Sequence, residues 1–184
     1  MKRIVSTKLK ISTLLAALLF VPTVFAAVGD VASLKHIGKD MDQYVLLTGK
    51  MVYKEATNDQ GVDGYLPERD VKLDGKIYRK IKDYPANVSA LMLYREFSQH
   101  LKNNGYEVVF HCERENCGDV EGWQLYLYRG LVGDINKQFY IVAKKKIGTS
   151  SEKYVAYYAT DIGSRPRSLL DTVWTNSAVM LSAQ

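Results

Sequence analysis

The sequence contains few of the residues that build common active sites. Its 184 residues include two cysteines, three histidines and four prolines. It has no Gly-x-Ser-x-Gly elbow, no His-Glu-x-x-His helix and no Gly-rich phosphate-binding loop. The histidines, His36, His100 and His111, do not adjoin a recognisable nucleophile. These absences exclude enzymes that such local motifs identify, but not an enzyme whose catalytic residues come from distant segments.

Long apolar runs are also scarce, and the clearest one lies near the N-terminus. The first ten residues carry four basic side chains, namely Lys2, Arg3, Lys8 and Lys10. An apolar stretch follows and ends in a small residue, Ala26. This pattern predicts a cleavable signal peptide over 1–26, cut after Ala26. The run falls short of the roughly 20 apolar residues of a membrane-spanning helix, so an uncleaved anchor is the less favoured alternative.

We therefore expect an exported, periplasmic protein with no membrane span after signal removal. Secretion beyond the outer membrane stays open, because a signal peptide alone does not distinguish the two destinations.

The chain without the predicted signal peptide has nearly equal numbers of basic and acidic residues. The whole chain has 25 basic and 20 acidic residues, a net charge of +5. Four basic residues lie in 1–26, which leaves 21 against 20 and a net charge of +1 for 27–184. A nearly neutral domain has no bulk electrostatic reason to bind nucleic acid, so we predict no nucleic-acid partner.

The mature chain is long enough for one domain that folds without a metal. We expect a loosely ordered lead-in over 27–43, with a short helix near 31–37. A single α+β domain is predicted over 44–184. The residue patterns predict no metal site and no cofactor.

A helix is the clearest predicted element. Ser89 is a suitable N-cap, and Gly105 stands where a helix ends in a left-handed residue. His100 borders the apolar side of the helix and is interpreted as a packing residue. The apolar residues at helical spacing are Ala90, Leu93, Tyr94, Phe97 and Leu101.

Most other segments are predicted to be strands. Over 70–81, Val71, Leu73, Ile77 and Ile81 alternate with polar residues. Further strands are expected at 44–53, 106–112, 124–128, 138–145 and 153–160, with a loop at 58–64, a hairpin at 148–151 and either a helix or a strand around 169–173. Short connections predict an antiparallel sheet with one long amphipathic helix packed on one face, an α+β fold.

The two cysteines, Cys112 and Cys117, are separated by four residues. In an oxidising compartment a pair this close is most simply a disulfide. Redox catalysis is a less favoured alternative, because thiol oxidoreductases usually separate their cysteines by two residues at a helix N-terminus. A metal site using His111 is a further alternative, although strand alternation points His111 away from Cys112.

An acidic and aromatic segment follows the cysteines. Its side chains could form a rim that binds a sugar or a peptide, or could belong to an ordinary surface loop. Further along the chain, alternation places two tyrosines on one sheet face, which packing within the sheet also explains. The possible binding surface comprises Asp119, Glu121, Trp123, Tyr154 and Tyr158.

The segment from Ser89 to Gly118 is similar to a known family. It combines a capped helix, a strand and the spaced cysteine pair through Ser89, Leu93, Arg95, Phe97, Leu101, Gly105, Tyr106, Phe110, Cys112, Cys117 and Gly118. This combination resembles the uncharacterised bacterial family called domain of unknown function 4892. Its members are exported from Gram-negative cells, and some carry an OmpA-like peptidoglycan-binding module after this domain.

The resemblance implies an envelope-associated domain of unassigned activity and supports the disulfide. It supplies no catalytic residues. The chain departs from the family's more usual Asn-Tyr at Glu96-Phe97 and from its small residue at His100. An OmpA-like module is not expected after 160, so peptidoglycan binding is not carried over.

These features together predict an exported, non-enzymatic domain that binds an envelope protein or a cell-wall component. The alternative is a periplasmic enzyme that acts on glycan or peptide through carboxylates near the disulfide turn, Asp119 and Glu121. The sequence assigns no catalytic residue, substrate or oligomeric state.

Overall fold

A computed structural model describes residues 32–55 and 64–176. The strands in these residues are β1 (Ala32–Leu47), β2 (Met51–Lys54), β3 (Gly64–Pro67), β4 (Asp70–Asp83), β5 (Glu107–Glu113), β6 (Gln138–Ile147), β7 (Ser151–Ile162) and β8 (Arg165–Asn176). The helices are α1 (Ala90–Asn103) and α2 (Val120–Tyr126), with 3₁₀ turns at Arg114–Cys117 and Ile135–Lys137. Six strands form an antiparallel sheet in the order β1-β4-β8-β7-β6-β5, and β2 pairs with β3 in a separate hairpin.

Side-chain alternation gives the sheet two apolar faces. On β6, Tyr140 and Val142 join a first core that includes Trp123 of α2. The neighbouring Ile141 and Ala143 point the other way and join a second core with residues of α1. A helix therefore lies on each side of the antiparallel sheet, and the predicted α+β class is confirmed.

The helix α1 begins and ends at the predicted residues. The Ser89 hydroxyl accepts a hydrogen bond from the Met92 N–H at 3.2 Å, which caps the first turn. At the other end the Tyr106 N–H donates to the Leu101 carbonyl at 3.0 Å. This bond across the helix end needs a left-handed residue, and Gly105 supplies it with φ +68°.

The strand β1 corrects the predicted lead-in. It starts at Ala32, inside the segment 27–43, and pairs with β4 from Ala32 opposite Asp83 to Leu47 opposite Asp70. The short helix predicted near 31–37 is wrong, because pairing with β4 overrides the weak local preference of a small and polar sequence. The single strand predicted over 44–53 is also wrong, since a bend at Gly49 separates β1 from β2.

The segment 124–128, predicted as a strand, belongs largely to α2. Val120, Trp123 and Leu127 are buried at helical spacing on one side of this segment. Gly122 lets the helix approach Met51 closely, because an added Cβ would lie 2.9 Å from the Met51 side chain. A short apolar run does not distinguish a strand from a buried helix, which explains the error. The prediction of one helix is therefore incomplete.

Most other predicted elements agree with the structure. The strands predicted at 70–81, 138–145 and 153–160 lie within β4, β6 and β7, and the segment 169–173 lies in the strand β8. Gly148, with φ +68°, falls in the turn of the predicted β6–β7 hairpin. The predicted signal peptide over 1–26 and the loop residues 58–63 lie outside the described residues.

Two details of the predicted alternation differ. Val71 is exposed, although alternation along β4 places it on the same face as the buried Leu73, Ile77 and Ile81. In β5 a bulge between Val108 and Phe110 breaks the alternation, so both Val108 and Val109 are exposed. A bulge places two residues of one strand opposite one residue of its partner, which a strict two-residue period does not predict.

Candidate functional site

The α1 helix covers only part of its sheet face, because its buried residues pack against β6 and β7. Beside the helix a groove of about 520 Å³ runs over β8 towards β4. We call this the α1 groove. Its lining residues are Lys80, Lys82, Tyr84, Leu93, Glu96, Phe97, His100, Tyr157, Ser168 and Leu170.

Strand register explains how the sheet side of the α1 groove is built. Lys80 stands opposite Leu170, and Lys82 stands opposite Ser168. On the other side of β8, Leu170 stands opposite Tyr157. The lysines of β4 therefore form one wall of the groove, and Leu170 and Tyr157 form its floor.

The helix supplies the opposite wall. Phe97 stacks on the Tyr157 ring with centroids 4.2 Å apart, and the Phe97 and His100 rings stack at 6.1 Å. Leu93, Glu96, Phe97 and His100 recur at three- and four-residue spacing, so they share one side of α1. The groove thus has an apolar floor, a basic wall and a mixed wall.

The α1 groove also contains hydroxyl groups. Burial raises the pKa of Tyr157 well above its ordinary value, so this phenol stays protonated at physiological pH. The Ser168 hydroxyl donates to the Tyr84 hydroxyl at 3.3 Å. The groove can therefore offer ammonium groups and hydroxyls to one polar end of a ligand and hydrocarbon to the rest.

A row of basic and aromatic side chains crosses the same sheet face near the C-terminal end of α1. Lys153 lies 5.3 Å from the Trp174 ring and 6.0 Å from the Tyr106 ring. Lys145 lies 5.8 Å from Tyr106 and donates to the Asn104 carbonyl at 2.7 Å. These cation–π contacts fix the lysine side chains beside the aromatic rings.

Two residues of the predicted binding surface are core residues instead. Trp123 and Tyr158 have no exposed area, so that part of the prediction is wrong. The Trp123 indole packs 4.5 Å from the Tyr140 ring and donates to the Cys117 carbonyl at 3.0 Å. The Tyr158 hydroxyl donates to the Gln138 amide oxygen at 3.0 Å. Both polar groups are satisfied inside the protein and do not reach a ligand.

Tyr154 lies on the same sheet face as Tyr158, as alternation predicts, and packs half-buried against the first core. Its hydroxyl donates to a Glu152 carboxylate oxygen at 2.6 Å. Partial burial and the Glu152 carboxylate raise the pKa of Tyr154 to about 12. Tyr154 therefore has a structural partner on its own strand.

Asp119 and Glu121 have aromatic neighbours that the sequence does not suggest. The pKa of the Tyr65 phenol on β3 is raised above its ordinary value. Loss of water contact is the largest cause, and the negative charges of Glu121 and Asp119 follow. Tyr65 meets Tyr53 edge-on at 5.2 Å. We call these four residues the acidic–tyrosine patch. The hairpin tyrosines are more than fifty residues away in the chain, and no local spacing predicts this electrostatic influence.

The disulfide is present as predicted. Cys112 and Cys117 are bonded, with Cα atoms 5.0 Å apart, and both are buried. Gly118 follows with φ +79°, and a Cβ there would collide with the Met51 carbonyl oxygen. The bridge and this glycine together hold the turn against β2. Within residues 32–55 and 64–176, no three His, Cys, Asp or Glu side chains group as metal ligands would.

A buried ion pair behind the α1 groove is a second feature that sequence analysis misses. Arg79 donates two hydrogen bonds of 2.6 Å to the carboxylate of Asp171, its cross-strand partner. The Tyr44 hydroxyl donates to the same carboxylate at 2.7 Å, and Arg79 also reaches the Leu127 carbonyl at 2.6 Å. Burial opposes the charge on Arg79, but the bonds to Asp171 prevail and raise its pKa.

A second arginine–aspartate pair lies at the end of the pairing between β4 and β8. Arg167 donates to both carboxylate oxygens of Asp83 at 2.6 and 2.9 Å, and to the Gly130 carbonyl at 2.7 Å. Each arginine thus ties the loop after α2 to the sheet. Both pairs serve the fold, because their donors and acceptors are already satisfied.

Comparison with known proteins adds no assignment. No protein-family model matches the sequence, and no curated protein matches it significantly. In the part of the chain that the structure describes, none of the helices has the length and apolar character needed to cross a membrane.

Proposed function

We propose that this protein is an exported, periplasmic, non-enzymatic domain that binds an envelope protein or cell-wall component, and that the α1 groove is its binding site. The observation that carries the proposal is the groove itself. Its volume of about 520 Å³ lies in the range of ligand-binding clefts, and it places a few polar groups around an apolar floor.

Two further observations support the setting. The Cys112–Cys117 disulfide is compatible with an oxidising compartment such as the periplasm. The resemblance of Ser89–Gly118 to domain of unknown function 4892, which rests on the sequence motif alone, implies an envelope role, and α1 with its Gly105 turn belongs to that segment.

Photo-cross-linking in living cells tests the proposal. A photoreactive phenylalanine analogue replaces His100, which lines the groove, or Gln99, an exposed neighbour on α1 outside the lining. We expect a light-dependent adduct of defined mass at position 100 and little or none at position 99. The same adduct at both positions, or none at either, would count against the groove as a binding site.

Fractionation of the same cells tests the compartment. The tagged chain should appear in the periplasmic fraction, shortened by the predicted 26 residues. A full-length protein in the cytoplasm would contradict the export part of the proposal.

The second candidate function is a periplasmic enzyme that acts on glycan or peptide. It is favoured by one observation: Asp119 precedes the first residue of α2 and Glu121 lies exposed in the first turn, so the two carboxylates stand two residues apart beside the disulfide turn. Paired carboxylates are the usual acid and base of glycoside hydrolysis. Purified protein should then release products from cell-wall fragments, and Asp119→Asn or Glu121→Gln should abolish the release. Absence of turnover by the unsubstituted protein would dismiss this candidate.

A further inference from the structure

We infer that the occupant of the α1 groove is a single-chain amphiphile with an anionic head, of the fatty-carboxylate type. This inference rests on the proposed function, since it names the ligand of the same site. It follows from the size, the apolar floor and the charge placement of the groove.

The size of the groove favours a small ligand. A cleft of about 520 Å³ suits a molecule of drug or lipid-chain size, whereas a stable protein–protein contact needs a broad surface. The cleft is bounded on one side by α1 and below by β7 and β8. A ligand in it would be covered on at least two sides, as a flat docking surface does not allow.

The floor favours hydrocarbon. Leu170 of the floor and Phe97 of the helix wall are half-buried, and with Leu93 they line the corner where α1 meets the sheet. The Phe97 ring stacks on the Tyr157 ring, so aromatic carbon joins the helix wall to the floor. An unbranched chain could lie along this line and remove the partly exposed carbon atoms from water, which is the main favourable term for an apolar ligand.

The charges favour an anionic head at the β4 wall. Lys80 and Lys82 lie two residues apart on one strand, so their side chains leave the same face. The Tyr84 hydroxyl lies in the same lining and can donate to a carboxylate, because it only accepts in its bond from the Ser168 hydroxyl. Glu96 on the helix wall repels an anion and therefore directs the head towards the lysines.

The geometry also explains why the body of the ligand should be a chain and not a sugar. A sugar ring needs several fixed hydrogen-bond partners along its length. The floor and the helix wall offer the carbon atoms of Leu170, Leu93 and Phe97, while Lys80 and Lys82 stand on the β4 wall. A ligand with one charged end and an apolar remainder matches this distribution.

Isothermal titration calorimetry of the purified mature protein with decanoate, below its micelle concentration, tests the inference. We expect saturable binding of one ligand per protein. Dodecanoate should bind more tightly, by about fourfold per added CH₂. Decanol, which lacks the charge, and acetate, which lacks the chain, should both bind at least tenfold more weakly than decanoate.

Substitutions locate the site. The double variant Lys80→Gln, Lys82→Gln should weaken decanoate binding roughly tenfold. The control double variant Lys72→Gln, Lys76→Gln removes two positive charges from exposed residues of the same strand outside the groove, and should leave the affinity unchanged. Leu170→Glu places a negative charge on the floor and should abolish binding; circular dichroism checks that each variant is folded.

The outcomes separate the ligand class from the function. If position 100 gives its cross-link in cells but decanoate does not bind, the ligand class is wrong and the groove remains a binding site. Equal binding of decanol, or an unchanged affinity in the double lysine variant, also overturns the ligand class. If position 100 gives no specific cross-link and no amphiphile binds, both the inference and the proposed function fail.

Discussion

Replacing Asp171 with asparagine should destabilise the protein strongly, because it leaves an arginine charge buried without its partner. Asp171 is completely buried, and the Arg79 side chain is 19% exposed. Removing one member of a buried, hydrogen-bonded pair costs about 3–5 kcal/mol. We expect about 3 kcal/mol for Asp171→Asn, the lower end, because Arg79 keeps some contact with water and its bond to the Leu127 carbonyl.

The second arginine–aspartate pair is a matched control. Asp83 and Arg167 make the same two-bond contact on the same pair of strands, but their side chains are 25% and 21% exposed. Water can replace part of what the carboxylate provides at this site. Asp83→Asn should therefore cost only about 1 kcal/mol.

Urea unfolding followed by circular dichroism measures both values, with an unchanged slope showing that the native state is comparable. The paired replacement Arg79→Met, Asp171→Leu should cost less than Asp171→Asn alone, because it removes the stranded charge together with its partner. If Asp171→Asn and Asp83→Asn cost the same, or if the paired replacement is the worst of the three, the reasoning from burial is refuted.

Three other perturbations have defined outcomes. Cys112→Ser should lower the free energy of unfolding by roughly 2 kcal/mol, because it opens a short disulfide loop; two free thiols in the untreated periplasmic protein, found by alkylation, would refute the bridge itself. Gly118→Ala should lower the melting temperature far more than Gly105→Ala. Both glycines have positive φ, but only at Gly118 would a Cβ collide with a neighbouring carbonyl. Equal falls in melting temperature would contradict this. Burial holds the pKa of four tyrosines above the ordinary value of about 10, namely Tyr44, Tyr140, Tyr157 and Tyr158. Their protonated hydroxyls therefore stabilise the fold below about pH 10, roughly the pKa in the unfolded chain. The free energy of unfolding should fall steeply as the pH rises above this value. A melting temperature that stays flat from pH 9 to about pH 11 would contradict the burial of these tyrosines.

The sequence predicts correctly those elements that depend only on neighbouring residues in the chain. The Ser89 cap, the apolar stripe and Gly105 define α1 without help from the rest of the chain. The alternation in β4 likewise separates Leu73, Ile77 and Ile81 from the polar side of the strand. The spacing of the two cysteines indicates the disulfide in an oxidising compartment, and the bond is present.

Elements that depend on distant partners were not predicted. β1 is a strand because β4 pairs with it, and α2 is a helix because Trp123 fills a site between the Tyr140 and Tyr158 rings. The same dependence made Trp123 and Tyr158 look like surface residues. Their environment is set by strands that lie far away in the sequence.

The sequence predicts the polar face of β4 that the α1 groove uses, but it does not predict the groove. Alternation placed Lys80 on the polar face of β4, but a lysine there reads as an ordinary solvated residue. What makes it part of a groove is that α1 covers β6 and β7 and stops short of β4. That outcome depends on packing between elements, which no local pattern encodes. The electrostatic influence of Asp119 and Glu121 on Tyr65 likewise depends on the packing of distant segments.

The most direct test of the α1 groove as a binding site is an amide NMR titration of the labelled mature protein with an extract of envelope components. We predict saturable shifts at Phe97, Tyr157 and Leu170, with the Tyr65 and Asp119 signals unchanged. Shifts confined to the acidic–tyrosine patch, or no shift at any residue, would contradict the central claim.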